Sequence, residues 1–591
     1  MEPSFRGEAL TPSRPFRALL HFNRPYAREY MLGAAAGLFF ISIDLCMPLV
    51  VRAVVHRFET QTITYTSLLV CFALLLIIPV LSGLARFVQR ILIIKASREF
   101  EYDLRNAYYR KVQHLSQDFF HSTRTGDIMA RATNDLNYVR AFVGPGIMNT
   151  VNMIRLPFTL AAMAYLSFKL TGIAMIPLPF ISLLVYFFVM YMHRQSRRVQ
   201  EQFSVVTARA QENLAGARVV KAYGIADREI RDFTSESDKY MRESLKLTLV
   251  MALAWPLIGA TVGIAALIVL WVGGNMVIAR ALTLAELSAF IVYLVMLTWP
   301  LAEFGWVLTL YQRGAVSMTR ILEILAREPS VRESDTTDYR ITALKGAVSF
   351  RDVSFAYNGQ KVLDNISLDI PAGQTTAIVG PTGSGKSTIL SLIAREYDPQ
   401  SGVVLVDGRD IREFPLHVLR GNIGCVPQDT FLFSESVAAN LALGRPGASR
   451  EDMDWACETA QFSEALAEMP DGYDTLLGER GINLSGGQKQ RLTIARALVC
   501  NPRILILDDA LSSVDTHTEE EILRRLKNVM RERTSIIVSH RISTVSHADR
   551  ILVIDEGRIT EEGTHEDLVA RSGLYAEMYR RQLLEQELEE A

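Results

Sequence analysis

Long apolar stretches in the first half of the chain restrict its fold more than any other feature of the sequence. Residues 30–51 and 67–84 are each about long enough to cross a hydrocarbon core of about 30 Å at a rise of 1.5 Å per residue. Similar stretches follow at residues 142–168, 171–192, 247–277 and 285–310. Polar segments of about fifty residues separate the second stretch from the third, and the fourth from the fifth. The pattern predicts about six transmembrane helices with two long loops on one side of the membrane.

Basic residues indicate which side that is. They precede the first stretch at Arg6, Arg14, Arg17, Arg24 and Arg28, and they recur in the first long loop at Arg98, Arg105, Arg110 and Lys111. The positive-inside rule therefore places the N-terminus and both long loops in the cytoplasm. Residues 15–22, PFRALLHF, are expected either to form an amphipathic helix on the inner membrane surface or to belong to a disordered basic tail.

Three charged residues, Asp44, Arg155 and Glu303, lie inside the predicted spans. Charges are costly in lipid, so these side chains are candidates for substrate contacts. The alternatives are hydrogen bonds between helices, or positions close to a membrane boundary.

The composition of the whole chain excludes other classes of protein. It has 62 Lys+Arg against 64 Asp+Glu and a net charge of -2, so charge gives no reason to expect nucleic acid as a partner. The five cysteines lie far apart without CxxC or His-rich spacing, which argues against a disulfide framework and against a zinc site. From about Gly346 the sequence changes to short β-branched strands, glycine turns and charged helices, as in a soluble α/β domain.

A phosphate-binding loop follows the first part of this α/β segment. The sequence GPTGSGKST begins at Gly380 and matches G-x-x-x-x-G-K-[ST], with an apolar strand, TTAIV, before it and an apolar helix, ILSLIA, after it. Backbone N–H groups of such a loop cradle phosphates, the lysine, here Lys386, meets the β/γ oxygens, and the Ser387 hydroxyl reaches Mg²⁺.

A second apolar strand, ILIL, ends in Asp508 and Asp509. A carboxylate at the C-terminal end of a strand beside the phosphate loop is where a P-loop enzyme holds its magnesium ion. We therefore assign Asp508 to that role. The two elements together indicate a P-loop NTPase.

The motif LSGGQ, residues 484–488, comes shortly before Asp508 and narrows the class. With it, nearly the whole chain resembles the ATP-binding cassette (ABC) transporters, in particular exporters that fuse six transmembrane helices to one nucleotide-binding domain. The expected fold is an α-helical transmembrane bundle with long cytoplasmic extensions, followed by an α/β P-loop domain with a helical subdomain. The expected domains are a cytoplasmic N-terminal segment or elbow helix at 1–28, a transmembrane domain at 29–326, a linker at 327–345 and a nucleotide-binding domain at 346–591.

The resemblance implies a set of ATP contacts. They are Tyr357 as the aromatic that stacks on adenine, the phosphate loop Gly380, Pro381, Thr382, Gly383, Ser384, Gly385, Lys386, Ser387 and Thr388, then Gln428, the signature Leu484, Ser485, Gly486, Gly487 and Gln488, and Asp515 of the loop that crosses between sites. The resemblance also implies Ser387, Gln428 and Asp508 as the metal set. It implies Asp509, His540 and Gln428 as the catalytic set.

Other segments resemble the family's transmission elements. Glu479 and Arg480 are similar to the segment that links the signature to the membrane loops. Residues 117–135 and 212–230, in the two long loops, resemble the segments whose short transverse helices dock on the nucleotide-binding domains. Charge alone would suggest only a solvated helical face there.

One position departs from the family pattern. The residue after the strand aspartate is usually a glutamate that polarises the attacking water, and here it is Asp509. The missing methylene withdraws the carboxylate by roughly 1 Å, and a misplacement of that size can lower a rate about 100-fold. A weak site with an intact LSGGQ is the pattern of one subunit of a heterodimeric exporter, whose partner is expected to carry the glutamate and a degraded signature. The alternatives are a homodimer in which Asp509 works and a mainly regulatory ATP-binding subunit.

The resemblance therefore implies ATP-driven export or flipping of hydrophobic or amphipathic small molecules, lipids or peptides by a dimer of half-transporters, with ATP and Mg²⁺ as cofactors. A soluble ABC protein would have no spans, and importers of the same superfamily usually keep the two domains on separate chains. The compact layout favours a bacterial inner membrane, with the N-terminus and the nucleotide-binding domain in the cytoplasm.

Overall fold

The computed structural model describes residues 15–590. Inside helices it leaves out the side chains of residues 177–186, 189, 254, 255, 258, 261, 298, 301, 302, 516 and 585–590. Arg6 and Arg14, used above for the orientation, lie outside the described residues. The chain forms two compact units, one made of residues 15–112 and 126–326 and the other of residues 113–125 and 327–590.

The first unit is helical throughout. The α-helices up to residue 325 are α1 (Pro15–Phe22), α2 (Ala27–Asp44), α3 (Met47–Glu59), α4 (Tyr65–Gln113), α5 (Gln117–Ser122), α6 (Thr125–Ala130), α7 (Leu136–Ala141), α8 (Ile147–Met153), α9 (Arg155–Leu166), α10 (Phe168–Met175), α11 (Pro177–Ala215), α12 (Ala217–Ala222), α13 (Ala226–Ile278) and α14 (Leu284–Leu325). Helix α5 lies in the second unit.

Most residues of the six predicted spans lie on helices, and α4, α13 and α14 extend beyond the second, fifth and sixth spans. The first span covers α2 and α3, with a break between them at residues 45 and 46. Helix α4 continues for 49 residues, well past the end of the apolar stretch at residue 84. Its polar second half keeps good helix formers such as Arg, Glu, Lys and Leu, so nothing in the sequence ends the helix at the membrane boundary.

Apolar side chains lie exposed on the first unit. Leu69, Phe72, Leu76 and Val80 recur at helical spacing on α4 and are 57%, 59%, 57% and 68% exposed. Two helical segments, Arg24–Glu59 and Tyr65–Gln113, meet the length and hydropathy criteria for a membrane span among the described residues. Only 17% and 22% of their most apolar windows is buried, so the protein interior does not cover these faces.

The described part of the second unit contains ten strands. They are β1 (Val348–Tyr357), β2 (Gln360–Ile370), β3 (Thr375–Val379), β4 (Ser401–Val406), β5 (Arg409–Asp410), β6 (Ile423–Val426), β7 (Ile504–Asp508), β8 (Thr534–Val538), β9 (Arg550–Asp555) and β10 (Arg558–Gly563). Its helices after α14 are α15 (Lys386–Ile393), α16 (Leu416–Gly421), α17 (Val437–Ala442), α18 (Arg450–Thr459), α19 (Ser463–Ala467), α20 (Gly486–Val499), α21 (Thr516–Met530), α22 (Ile542–Val545), α23 (His565–Ala570) and α24 (Leu574–Glu590).

The strands form two sheets. An antiparallel sheet has the order β2-β1-β4-β5, and a six-stranded sheet has the order β10-β9-β3-β8-β7-β6. In the larger sheet β9, β3, β8, β7 and β6 are parallel, and β10 pairs antiparallel at one edge. Strands β3 and β8 are buried along their whole length, as expected for parallel strands covered on both faces.

The order of the larger sheet positions the site. Strands β3, β8, β7 and β6 are consecutive neighbours and parallel, so their C-terminal ends meet at one edge. Ligands of open α/β sheets bind at that edge. The phosphate loop, His540, Asp508 and Gln428 follow or end these four strands.

Candidate functional site

The phosphate loop connects β3 to α15 through backbone conformations that favour glycine. Gly380, Gly383 and Gly385 have φ of 154°, 84° and 105°. A Cβ atom on Gly380 would lie 2.0 Å from the carbonyl oxygen of Ile554 in β9, so only glycine allows the loop to pass this strand. Helix α15 begins at Lys386, and its free backbone N–H groups face the loop, as in an anion-binding helix N-terminus.

Lys386 lies inside this loop. Its side chain is 7% exposed, and its ammonium Nζ donates to the carbonyl oxygens of Gly380 and Pro381, each at 2.8 Å. Burial lowers the pKa of Lys386, while the carboxylates of Asp509 and Asp508 oppose that change. A buried cation whose contacts are carbonyl groups is suited to an incoming anion.

Two of the three residues assigned to the metal, Ser387 and Asp508, are in contact. The Ser387 hydroxyl donates a hydrogen bond to the Asp508 carboxylate, and burial raises the pKa of Asp508 above its ordinary value despite that bond. Gln428 lies two residues after β6, which pairs with β7, and its side chain is exposed at the same sheet edge. Among the described residues no group of three or more His, Cys, Asp or Glu side chains could hold a metal ion.

Asp509 and His540 form a second pair at this edge. Asp509 accepts from the backbone N–H of His540 at 3.1 Å, and its other oxygen lies 3.2 Å from His540 Nε2. Asp509 is 7% exposed, whereas the His540 side chain is 48% exposed. Asp509 has φ of 46°, a left-handed conformation that aspartate tolerates better than most residues.

The signature motif forms the start of α20. Ser485 is the N-cap, and it exchanges a capping-box pair of hydrogen bonds with Gln488. A Cβ on Gly487 would lie 3.1 Å from the carbonyl oxygen of Ser513, so the helix start packs closely on the loop after β7. The signature thus contacts the 512–514 loop of its own chain, while the phosphate loop lies with Asp508 and Asp509.

Two further predicted residues have structural partners. Asp515 caps the N-terminus of α21, because its carboxylate accepts from the backbone N–H of Thr518 at 3.0 Å. Tyr357 ends β1, and its ring meets those of Phe355 and Tyr397 edge to face, with centroids 4.9 Å and 5.3 Å away. Tyr397, also in this cluster, was not identified from the sequence.

The segment between α4 and α6 packs within the second unit. The Ser116 hydroxyl accepts from the backbone N–H of Val331 at 2.9 Å, and the Arg327 guanidinium lies over the ring of Phe119 at 5.0 Å. Asp118 accepts from the Ser330 hydroxyl at 3.1 Å. Residues 113–125 are therefore a part of the membrane-loop sequence that folds with the nucleotide-binding unit.

Two of the charged residues in the predicted spans pair with each other. Arg155 Nη2 lies 2.7 Å from Asp44 Oδ2, and their side chains are 17% and 23% exposed. Gln89 on α4 is fully buried, and its side-chain amide donates to the Asn152 side chain on α8 at 3.0 Å. These contacts favour the helix–helix alternative for Asp44 and Arg155.

Sequence reasoning missed a group of residues around His540. Arg541 pairs with the buried carboxylate of Glu519, and Gln490 of α20 contacts Ser512 and Ser513. Each partner lies more than twenty residues away along the chain, so local sequence patterns gave no signal for these contacts. Only the position of Arg541 directly after His540 could have drawn attention to it.

Comparison with known families agrees with both units. Residues 31–301 match the family described as the ABC transporter transmembrane region, and residues 363–512 match the family described as ABC transporter. The chain is 35% identical over 583 residues to the multidrug resistance-like ATP-binding protein MdlA of Escherichia coli, covering 98% of both chains. It is 40% identical over 477 residues to the probable multidrug resistance ABC transporter ATP-binding/permease protein YheI of Bacillus subtilis, covering 80% of this chain and 81% of that one.

A solved structure gives the same result for the fold. A bacterial Atm1-family ABC exporter with ATP bound matches with a TM-score of 0.76 and 29% identity, over 94% of this chain and 98% of that chain. The predicted fold class and the predicted ATPase activity coupled to transport are thereby confirmed. The chain belongs to the ABC transporters, as an integral membrane half-transporter of the exporter type that fuses a transmembrane domain to an ATP-hydrolysing domain.

Proposed function

We propose that this half-transporter exports hydrophobic or amphipathic compounds as one subunit of a heterodimer, and that the ATP site at its own phosphate loop hydrolyses ATP slowly. The observation that carries the proposal is Asp509, a short carboxylate where the family has glutamate, combined with an intact signature at residues 484–488. Relatives named for multidrug resistance support the class of substrate.

The contacts of Asp509 support slow hydrolysis. Both of its oxygens are engaged by His540, and the side chain is almost fully buried. A general base must come within hydrogen-bond reach of the water it polarises. One methylene fewer places the carboxylate roughly 1 Å further back, against the His540 backbone, and that distance corresponds to about a 100-fold loss of rate.

The remaining site residues receive roles in ATP binding. Tyr357 stacks on adenine, residues 380–388 hold the phosphates, and the buried Lys386 ammonium meets the β/γ oxygens. His540 contacts the γ-phosphate, as its exposed ring at the sheet edge permits. The signature of this chain, with Asp515, completes the site on the partner subunit.

The side chains fit a magnesium ion. Ser387 and Asp508 already share a hydrogen bond, and a buried carboxylate with a raised pKa is stabilised in its charged form by a cation. Hydroxyl, carboxylate and the Gln428 amide oxygen are all hard oxygen donors. When bound with ATP, Mg²⁺ would neutralise charge on the β- and γ-phosphates.

Transport follows from closure of two nucleotide-binding domains on ATP. The ATP phosphates are then contacted by the phosphate loop of one subunit and by the signature of the other. ATP therefore binds the closed dimer more tightly and shifts the population towards it. Closure moves the docked loops, including residues 113–125, and the helical bundle changes from inward-facing to outward-facing. Hydrolysis at the stronger site reopens the dimer.

A homodimer is the second candidate, and one observation favours it. Asp509 and His540 are paired as a catalytic carboxylate and switch histidine would be, with a contact of 3.2 Å. In that case Asp509 itself polarises the water. We place either dimer in a bacterial inner membrane with the N-terminus and the nucleotide-binding domain in the cytoplasm, in agreement with the bacterial relatives.

Steady-state ATP hydrolysis by this chain alone in lipid tests the proposal, with the Asp509→Glu variant beside it and Lys386→Ala as the blank. We expect wild-type turnover near the blank, together with measurable ATP binding. Robust wild-type turnover would refute the weak site and favour the homodimer. Turnover restored by Asp509→Glu would mean that the chain pairs with itself but lacks a competent carboxylate. If neither the wild type nor Asp509→Glu hydrolyses ATP but both still bind it, a partner subunit is missing, and co-purification from cells would identify it.

A further inference from the structure

The segment that carries His540 is held by residues from several other parts of the second unit. His540 contacts Asp509, as described above. Two residues later, the backbone N–H of Ile542 donates to the Gln582 side-chain oxygen on α24 at 2.8 Å. Between them, the Arg541 guanidinium points to the loop after β7.

Arg541 makes the larger set of contacts. Its Nη1 and Nη2 donate to the carbonyl oxygens of Val514 and Ser512, both at 3.4 Å, and Nη1 also pairs with Glu519 Oε2. Glu519 is 3% exposed, and its other oxygen accepts from the Thr544 hydroxyl at 2.6 Å. The Glu519 carboxylate on α21 therefore holds both Arg541 and Thr544, which lie on either side of Ile542.

The same loop also contacts the signature helix. Gln490 of α20 is 3% exposed, donates to the Ser512 hydroxyl at 2.9 Å and accepts from the backbone N–H of Ser513 at 2.8 Å. A continuous series of contacts thus runs from α20 through residues 512–514 and Arg541 to His540. One end is α20, the helix that begins with the signature assigned to the partner's ATP, and the other end is His540, assigned to this chain's own ATP.

We propose that Arg541 and Glu519 are positioning residues that fix His540 relative to the 512–514 loop, and that this pair transmits the position of the signature helix to the chain's own ATP site. The proposal deepens the proposed function and rests on its assignment of His540 to that site. A planar guanidinium can reach two carbonyl groups and a carboxylate at once, whereas a lysine ammonium is a point charge on a flexible stem. Arg541→Lys should therefore keep the charge and lose the positioning.

Hydrolysis kinetics provide the first test. We compare Arg541→Lys and Glu519→Gln with Arg524→Lys and Glu521→Gln, matched changes in an exposed pair on α21 whose charged atoms lie 2.8 Å apart. In a parent that hydrolyses ATP measurably above the blank, we expect kcat to fall about tenfold or more in the first two variants, because a displacement of His540 affects the transition state more than ATP binding. The KM and ATP affinity should stay within about twofold of the parent, as should every value for the control pair. A parallel loss of ATP affinity, or an equal loss in the control pair, would overturn the proposal.

Amide hydrogen exchange gives a second readout that needs no turnover. Glu519→Gln should speed exchange in residues 539–545 and also in residues 512–514, and Glu521→Gln should change neither segment. Unchanged exchange in either segment overturns the inference, as does faster exchange with an unchanged kcat. Each variant is made in the wild type and in Asp509→Glu. Absence of hydrolysis in both parents agrees with a missing partner subunit, and exchange alone then decides whether Arg541 and Glu519 join the two segments. Robust turnover of the wild type counts against the proposed weak site and leaves the exchange test of this pair unaffected.

Discussion

Replacing Gly380 by alanine should weaken ATP binding strongly, and the structure indicates by how much. The new Cβ would lie 2.0 Å from the carbonyl oxygen of Ile554, and real Cβ atoms essentially never come closer than 3.0 Å, so the loop must move by at least about 1 Å. Ile554 cannot give way easily, because β9 is hydrogen-bonded to β3 on one side and to β10 on the other. Lys386 moves with the loop, since its ammonium is held by the Gly380 carbonyl.

Such a shift misaligns the donors that face the phosphates. Losing one charge-assisted hydrogen bond costs about 1.5–3 kcal/mol, which corresponds to an ATP affinity about 10- to 150-fold weaker. Equilibrium binding of ATP to the full chain in lipid measures this directly. Gly373→Ala is the control, because Gly373 also has a positive φ, 79°, but a Cβ there meets nothing within 4 Å. It should lose about 1–2 kcal/mol of stability from backbone strain and keep its ATP affinity. An affinity within threefold of wild type for Gly380→Ala, or an equal loss in Gly373→Ala, would refute the reasoning.

Three other measurements follow from the described contacts. Ser485→Ala removes the capping box of α20 and should lower the free energy of unfolding of the second unit by about 1 kcal/mol, visible as a lower denaturant midpoint. The affinity for ATP with Mg²⁺ should fall on acidification at a pH above the ordinary aspartate range, because the pKa of Asp508 is raised, and Asp508→Asn should remove that fall. The affinity should also fall on the alkaline side below the pH at which ordinary lysines titrate, because the pKa of Lys386 is lowered. Arg155→Met should lower the thermal unfolding temperature more than the double variant Asp44→Leu with Arg155→Met, because the single change leaves a partly buried carboxylate unpaired. A double variant less stable than the single one would contradict this.

The elements of the ATP site could be predicted because each one is a local pattern. A buried strand followed by glycines and a helix start is specified within about fifteen residues, and the same is true of the strand that ends in Asp508. Parallel strands then bring their C-terminal ends to one edge, so the assembly of Lys386, Asp508 and His540 follows from the fold. The contact between the rings of Tyr357 and Tyr397 was not predicted, since Tyr397 lies forty residues from Tyr357 and has no motif of its own.

The helices of the membrane half could be predicted from the sequence, but their lengths could be predicted less well. Hydropathy marks where lipid covers a helix, and it says nothing about where the hydrogen-bonded helix ends, so α4 and α13 run far beyond their apolar stretches. The change of unit at residues 113–125 depends on long-range contacts such as Ser116 with Val331. Those contacts join residues more than two hundred positions apart, and no local pattern encodes them.

The end of β7 illustrates how one short sequence creates two different carboxylates. Asp508 is the last residue of the strand, and its carboxylate accepts a hydrogen bond from Ser387 of the phosphate loop at the sheet edge. Asp509 adopts a positive φ, receives the His540 backbone N–H and is nearly buried. A glutamate at this position would have to extend past His540, and it would accept the left-handed backbone less readily than aspartate does. Asp509→Glu should therefore raise the rate of hydrolysis and lower the free energy of unfolding by about 1 kcal/mol. A gain in activity without loss of stability would contradict this, because it would show that the backbone at residue 509 adapts to the longer side chain.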